Sequence, residues 1–196
     1  MDGWHVGYGP PLPQYRNLSD NIEAANLDRR LLFLTEQIDE CVAPSLLIDM
    51  MYLAGRSKEP IRIIMSSPGG DVYRGLLVYN AIRDVQRDGT PVVVEVFGLC
   101  ASMATVILQA ASKRIAHRGS RFLIHEVSEF KIFSEETATE KLDEAEELAR
   151  INKTLVEILA ERSTKNTEEI ANLIKRRNYW LSANEAMSLG LVDEVV

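Results

Sequence analysis

The chain has 196 residues with a net charge of −7, and 46% of its residues are hydrophobic. This length and composition allow a full hydrophobic core, so we expect one folded domain. The negative charge argues against nucleic acid or an anionic membrane as the main partner. No apolar run approaches the roughly twenty residues that a membrane-spanning helix needs.

The two cysteines, Cys41 and Cys100, lie among apolar residues and give no disulfide framework or metal-ligand spacing. A reducing compartment, the cytoplasm, is therefore the expected location. The N-terminus has no basic stretch followed by a hydrophobic core, so no secretory signal is predicted.

Residues 1–26 differ from the rest of the chain, because glycine and proline interrupt any regular element there. The interrupting residues are Gly3, Gly7, Gly9, Pro10, Pro11 and Pro13. We expect a flexible N-terminal arm over residues 1–26 and a folded domain over residues 27–196.

After the arm, strand patterns and helix patterns alternate along the chain. The predicted elements are a strand at Leu31–Leu34, a helix carrying Val42, Leu46, Met50 and Leu53, a strand at 60–66, a helix at 71–85, a strand at 91–97, a helix at 100–112, and strands at 114–117 and 121–125. A long amphipathic helix is predicted over about 134–163. This alternation is typical of an α/β fold with a mainly parallel sheet, whose strand-to-helix turns meet at one edge.

Residues at these turns are suited to acyl transfer. Ser102 stands at the start of an apolar helix, where free N–H groups and the positive end of the helix dipole favour an anion. The turn Pro68-Gly69-Gly70 follows an earlier strand, and His125 ends a later one. Each feature alone is more often an N-cap, an ordinary turn or a structural histidine. Together they are most of what a serine hydrolase needs.

In this order the features resemble the Clp peptidases, the ClpP-type serine peptidases of family S14. The family carries a Pro-Gly-Gly turn, then a Gly-x-x-Ala-Ser-Met helix start, then a strand ending in Ile-His. The resemblance runs from about Leu27 to Val196 and includes the closing segments at 180–186 and 190–193. It implies a ClpP/crotonase-like right-handed spiral of strand-strand-helix units, with the helix at about 134–163 protruding as a handle.

The resemblance also implies roles for particular residues. Ser102 matches the nucleophile and His125 the general base, while the N–H groups of Gly70 and Met103 match the oxyanion hole. The family's third residue, an aspartate, corresponds to Asn178. An asparagine can accept the Nδ1–H of the histidine but supplies no negative charge, so we expect reduced activity.

Further positions depart from the family pattern. Three carboxylates, those of Asp71, Glu126 and Asp193, are conceivable substitutes for the missing aspartate, although each is more often structural or solvated. The family's His-Gln-Pro becomes residues 125–127, His-Glu-Val, which puts the substrate preference in doubt. An aromatic pair in the pocket that receives an unfoldase loop becomes Arg62 and Ile64, which alters that docking pocket.

As a member of this family, the chain would be the proteolytic subunit of an ATP-dependent Clp protease. It would cleave unfolded polypeptide through an acyl-enzyme inside two stacked seven-membered rings, a tetradecamer that is either homomeric or mixed. No cofactor or metal is expected in the chain itself, because a separate AAA+ unfoldase would use the ATP.

Three other functions have to be weighed, and only the first of them stays open. The chain could be a weakly active or inactive subunit that completes a mixed ring with an active paralogue, as Asn178 and Arg62 suggest. A crotonase-type enzyme shares the spiral fold but needs no serine at position 102. A Ser-Lys peptidase would use a lysine base, and Lys113 lies too far along the helix for that, roughly 16 Å at 1.5 Å per residue.

Overall fold

The structure, a computed structural model, describes residues 18–127, 138–175 and 177–196. Its helices are α1 (Leu18–Asp28), α2 (Val42–Arg56), α3 (Val72–Arg87), α4 (Met103–Gln109), α5 (Ala138–Glu161), α6 (Thr167–Ile174) and α7 (Ala183–Leu189). Its strands are β1 (Leu31–Leu34), β2 (Ile61–Ser67), β3 (Val92–Ala101), β4 (Lys113–Ala116), β5 (Arg121–Ile124), β6 (Tyr179–Ser182) and β7 (Glu194–Val195).

The described strands form one mainly parallel sheet. The strand order is β1-β2-β3-β4-β7, and β5 leaves this path by pairing with β3 and β6. Among these described strands, only the β5–β6 pair is antiparallel. The α/β class with a mainly parallel sheet is therefore confirmed. Helices α2, α3 and α4 bury apolar faces against the sheet, as the 3.6-residue spacing of their core residues requires.

Strand β3 changes its pairing partner along its length, and this change positions Ser102, which follows the strand. Its first half pairs with β4, whereas Leu99, Cys100 and Ala101 pair with β5. The helix predicted from residue 100 therefore begins later, at Met103, and ends at Gln109. The prediction was wrong because an uninterrupted apolar run does not separate a buried strand from a buried helix.

The N-terminal prediction also needs correction. Residues 18–28 form helix α1, whereas the flexible arm was expected to extend to residue 26. Pro13 is the last glycine or proline before helix α1. The helix itself is rich in good helix formers such as Glu23, Ala24, Ala25 and Leu27. Residues 1–17 lie outside the described part of the chain.

Helix α5 contains the described part of the long helix expected at about 134–163. Its second half is anchored by the buried side chains of Ile151, Leu155 and Leu159, while Leu142 in its first half is 67% exposed. Helix α6, which the sequence reading missed, begins with a capping box formed by Asn166 and Glu169. Among the described residues, no helix combines the length and apolarity needed to span a bilayer.

Candidate active site

Ser102 occupies the sharp turn between β3 and α4. Its backbone has φ 56° and ψ −125°, a region that residues other than glycine rarely adopt. The Ser102 N–H donates to the Leu123 carbonyl of β5 at 2.8 Å and so ties the turn to the neighbouring strand. The hydroxyl does not cap α4, which leaves it available to another partner. Backbone strain of this kind is concentrated at functional sites.

His125 follows β5 directly and is that partner. The Ser102 hydroxyl lies 2.8 Å from Nε2 of the imidazole. Nδ1 lies 2.6 Å from the main-chain carbonyl oxygen of Glu126. Because a carbonyl only accepts hydrogen bonds, Nδ1 carries the proton, and Nε2 of the neutral ring is the acceptor. The ring is thus oriented and protonated as a general base for Ser102 requires.

The Pro-Gly-Gly turn after β2 lies directly against the serine. The Gly69 N–H donates to Ser67 Oγ at 3.1 Å, and the Gly69 carbonyl accepts from the Ile38 N–H at 2.9 Å. A methyl group at Gly69 would lie 2.8 Å from Ser102 Cβ and 2.9 Å from the Met103 nitrogen. Any side chain at position 69 would therefore separate the two turns.

Two main-chain N–H groups at these turns remain available for a ligand. Those of Gly70 and Met103 make no hydrogen bond among the residues that the structure describes. Met103 is the first residue of α4, where helix geometry leaves N–H groups without an internal acceptor. They are the two groups that the family resemblance assigns to the oxyanion hole, and both belong to turns that meet at Ser102.

Asn178 precedes β6 and makes no hydrogen bond to His125 in the described structure. The antiparallel register pairs Ile124 with Tyr179, so one further pair would set Asn178 opposite His125. The Asn178 side chain is nevertheless exposed. The serine–histidine pair is thus formed without the third residue, because the adjacent Glu126 carbonyl already accepts from Nδ1.

The carboxylates considered as substitutes have other roles. Asp71 caps α3 by accepting from the Arg74 N–H at 2.8 Å. Asp193 forms a salt bridge with the buried Arg114. Glu126 accepts the His125 Nδ1–H through its main-chain carbonyl.

A small apolar pocket, with room for about one water molecule, lies beside the serine–histidine pair. Its apolar lining comprises Val72, Met103, Val106, Ile124, Val127, Leu155, Val156, Leu159 and Ile174. A larger cavity of about 380 Å³ between α5 and α6 shares Asn152, Val156 and Ile174 with this pocket. An extended chain bound at Ser102 would therefore find further space next to the first pocket.

Sequence reasoning missed two groups at this site, the Glu126 carbonyl and Asn152 of α5. A main-chain carbonyl cannot be singled out from a sequence, because every residue has one. Asn152 was recognisable from the sequence, because it lies one helical turn before the buried Val156, on a side of α5 where a polar residue needs an explanation. Its Oδ1 accepts from the Val127 N–H at 2.8 Å.

The sheet face that carries Arg62 is partly apolar and exposed. Phe33, Ile64 and Glu95 pair in register across β1, β2 and β3. Arg62 donates two hydrogen bonds to Glu95 Oε1, at 2.6 and 2.8 Å, and Phe97 lies further along β3 with 51% exposure. The charge of Arg62 is therefore neutralised by Glu95. This partly apolar surface carries an ion pair rather than a free positive charge.

A lysine base is excluded by the surroundings of Lys113. Its ammonium group forms a 2.6 Å ion pair with Glu194 of β7. The hydrogen bond and the charge of Glu194 raise the pKa of Lys113. A general base needs the opposite change, a lowered pKa that frees the amine.

The chain is similar to known proteins over most of its length. A family model described as Clp protease matches residues 15–196. The ATP-dependent Clp protease proteolytic subunit 2 of Prochlorococcus marinus is 34% identical over 194 residues, covering 97% of this chain and 92% of the relative. Subunit 3 from a Synechococcus species is 37% identical over 170 residues, covering 85% and 82%.

Among solved structures, the chain resembles ClpP1 from Listeria monocytogenes, in a variant with one asparagine replaced by aspartate. The TM-score is 0.78 at 27% identity, covering 89% of this chain and 95% of that one. The ClpP-like fold expected from the sequence is therefore confirmed.

Proposed function

Because the chain belongs to the Clp protease family and is a proteolytic subunit of the ClpP type, we propose that it is a serine endopeptidase whose nucleophile is Ser102. The observation that carries this proposal is the 2.8 Å contact between the Ser102 hydroxyl and His125 Nε2, with Nδ1 held by a carbonyl.

In the proposed reaction, His125 removes the Ser102 proton as the hydroxyl attacks the carbonyl carbon of the substrate. The N–H groups of Gly70 and Met103 stabilise the oxyanion, and losing one such donor typically lowers the rate about a hundred- to a thousandfold. His125 then protonates the leaving amine, and water hydrolyses the acyl-enzyme by the same steps in reverse order. In this scheme the neutral Asn178 supplies no negative charge to stabilise the imidazolium of His125, and the rate is lowered as a result.

Proteolytic subunits of this family work in oligomeric chambers with Clp ATPases. We propose two stacked heptameric rings for this chain, homomeric or mixed, with unfolded polypeptide as substrate. Large exposed apolar side chains support burial against other subunits; they are Ile48, Met51 and Tyr52 on α2. The exposed Leu142 on α5 supports the handle's role in contact with a facing ring.

ATP is used in this proposal by a separate AAA+ unfoldase, and the chain itself needs no cofactor. The unfoldase would dock on the sheet face around Phe33 and Phe97, where the Arg62–Glu95 pair changes the chemistry of the contact. A cytoplasmic location is also part of the proposal. It is supported by the free cysteines Cys41 and Cys100.

The test is covalent labelling of the assembled protein with an alkyl fluorophosphonate, followed by mass spectrometry of the modified peptide. We expect modification of Ser102, loss of labelling in Ser102→Ala, and cleavage of an unfolded protein substrate by the wild type. An assembled protein that resists labelling at Ser102 would contradict the enzymatic role.

A second candidate function is that of a weakly active or inactive subunit in a mixed ring. The exposed and neutral Asn178 favours it, because the hydrogen-bond partners of His125 within the described residues, the Ser102 hydroxyl and the Glu126 carbonyl, are uncharged. Purification of the chain alone and together with an active paralogue separates the two. Rings that form from this chain alone and cleave peptides would exclude a purely accessory role.

A further inference from the structure

The three residues that follow β5 determine how the imidazole of the proposed base, His125, is oriented. Strand β5 ends at Ile124, so residues 125–127 are not held by the sheet ladder. Within them, the Glu126 carbonyl accepts from His125 Nδ1 at 2.6 Å. Any movement of this peptide would move the acceptor and release the imidazole.

One side chain outside the segment holds it in place. Oδ1 of Asn152 on helix α5 accepts from the Val127 N–H at 2.8 Å. This N–H belongs to the peptide unit whose carbonyl is that of Glu126. The hydrogen bond from Val127 to Asn152 and the hydrogen bond from His125 to Glu126 therefore act on the two ends of one rigid, planar group.

Asn152 is itself fixed. Its Nδ2 donates to the Leu148 carbonyl at 3.1 Å, one helical turn back, while the neighbouring Ile151 and Leu155 are buried in the core. Both partners have a fixed polarity, since an N–H can only donate and a carbonyl can only accept. The orientation of the amide is therefore determined by chemistry, with Oδ1 toward the loop and Nδ2 toward the helix.

We propose that Asn152 is a positioning residue for the proposed serine peptidase reaction, acting through the Val127–Glu126 peptide to keep the His125 ring on Ser102. The inference rests on the proposed function. The donor exists because position 127 is valine, whereas the family pattern places there a proline, which has no N–H. A main-chain acceptor held from α5 thus performs the orienting task at a site where no hydrogen bond to residue 178 is formed.

The experiment compares two variants at Asn152 with a control on the same helix. Asn152→Leu keeps the approximate volume but removes the acceptor. Asn152→Asp keeps an oxygen for the Val127 N–H, but it loses the helical hydrogen bond to the Leu148 carbonyl and adds a negative charge. Thr154→Ala removes a similar bond, from exposed Thr154 Oγ1 to the Arg150 carbonyl at 3.1 Å. The readouts are kcat, KM and the rate of labelling of Ser102 by a small fluorophosphonate, with assembly checked by light scattering.

We expect Asn152→Leu to lower both kcat and the labelling rate on the order of a hundredfold, the usual effect of misplacing a catalytic group by about 1 Å. Asn152→Asp should recover most of that loss, and Thr154→Ala should match the wild type. The small probe separates orientation of the base from binding in the pocket that Asn152 also lines. If Asn152→Leu does not assemble, Asn152→Ala replaces it.

Wild-type labelling rates in Asn152→Leu would overturn the inference. Equal losses in the leucine and aspartate variants would also overturn it, because they would indicate helix packing rather than the acceptor oxygen. Failure of the proposed function looks different, since the wild type itself would then not be labelled at Ser102.

Discussion

Gly69 approaches Ser102 so closely that a methyl group on its α-carbon would lie 2.8 Å from the serine Cβ. The same methyl would lie 2.6 Å from the Ala101 carbonyl oxygen. Main-chain atoms cannot move away as the end of a long side chain can. The distance between the glycine turn and the turn at Ser102 is therefore set by the absence of a single carbon atom.

Gly69→Ala should strongly lower peptidase activity, because it forces apart the turns that carry Gly70 and Met103. We expect a loss of at least about a hundredfold, the cost of one oxyanion donor. Gly89→Ala is the matched control, because Gly89 has φ 92° against 90° for Gly69 but has no atom within 4 Å of the added methyl. Peptide hydrolysis by the two purified assemblies measures the difference, and equal activities would contradict the prediction.

Asn178→Asp should raise turnover. The antiparallel register sets residue 178 across from His125, and a carboxylate there would stabilise the imidazolium that forms during attack. We expect roughly a tenfold gain, equivalent to about 1.4 kcal/mol in the activation barrier. Asn80→Asp is the charge-matched control, because Asn80 is exposed on α3 about 12 Å along the helix from its first residue, Val72. Unchanged or lower kcat in Asn178→Asp, with normal assembly, would refute the prediction.

Asp193 should make stability depend on acid pH. Burial by itself would raise the pKa of this carboxyl, but hydrogen bonds and charge from Arg114, with the charge of Arg162, outweigh burial and lower the pKa. The carboxylate therefore stabilises the fold fully above its ordinary pKa of about 3.9. This stabilisation declines below that pH and is gone once the pH has passed the lowered pKa of the folded state.

At pH 7, Asp193→Asn should reduce the free energy of unfolding by roughly 3 kcal/mol, since Arg114 is buried and loses its charged partner. Glu146→Gln removes an exposed ion pair to Arg150 and should change it by less than about 1 kcal/mol. Urea unfolding at fixed protein concentration, at neutral and acid pH, measures both. A difference between wild type and Asp193→Asn that stays constant from pH 7 to the acid range would contradict the assignment.

Cys100 should resist alkylation in the native protein. Its side chain is fully buried two residues before Ser102, and burial raises the pKa of the thiol. Both the lack of access and the low thiolate population slow the reaction. Iodoacetamide at pH 8, followed by peptide mass spectrometry, should leave Cys100 unmodified in native protein and modify it in urea, with exposed Cys41 as the internal reference. Similar rates at Cys100 in both conditions would contradict the prediction.

The sequence predicted those parts of the fold whose signals are local. The helical spacing of Val42, Leu46, Met50 and Leu53 corresponds to α2, and the run of β-branched residues after Pro91 corresponds to β3. The end of β3 was not predictable in this way. Whether Leu99–Ala101 continue the strand depends on pairing with β5, some twenty residues further on, and local periodicity carries no information about that pairing.

For the site, residues whose side chains define the chemistry were recognisable, and main-chain groups were not. A serine and a histidine in a familiar order led to the pair that lies 2.8 Å apart. Counting from the closing motif led to Asn178, which the register sets opposite His125 without forming the bond. The hydrogen bond from His125 Nδ1 is instead accepted by the main-chain carbonyl of Glu126, and every residue type has such a carbonyl.

That last property has an evolutionary consequence. An oxygen of the polymer backbone cannot be deleted by a point mutation, so residue 126 can vary freely while the imidazole keeps its acceptor. The imidazole therefore keeps an orienting acceptor although residue 178 is neutral. The orientation of the His125 ring depends instead on the length of the 125–127 segment. The insertion or deletion of one residue there would misalign the imidazole.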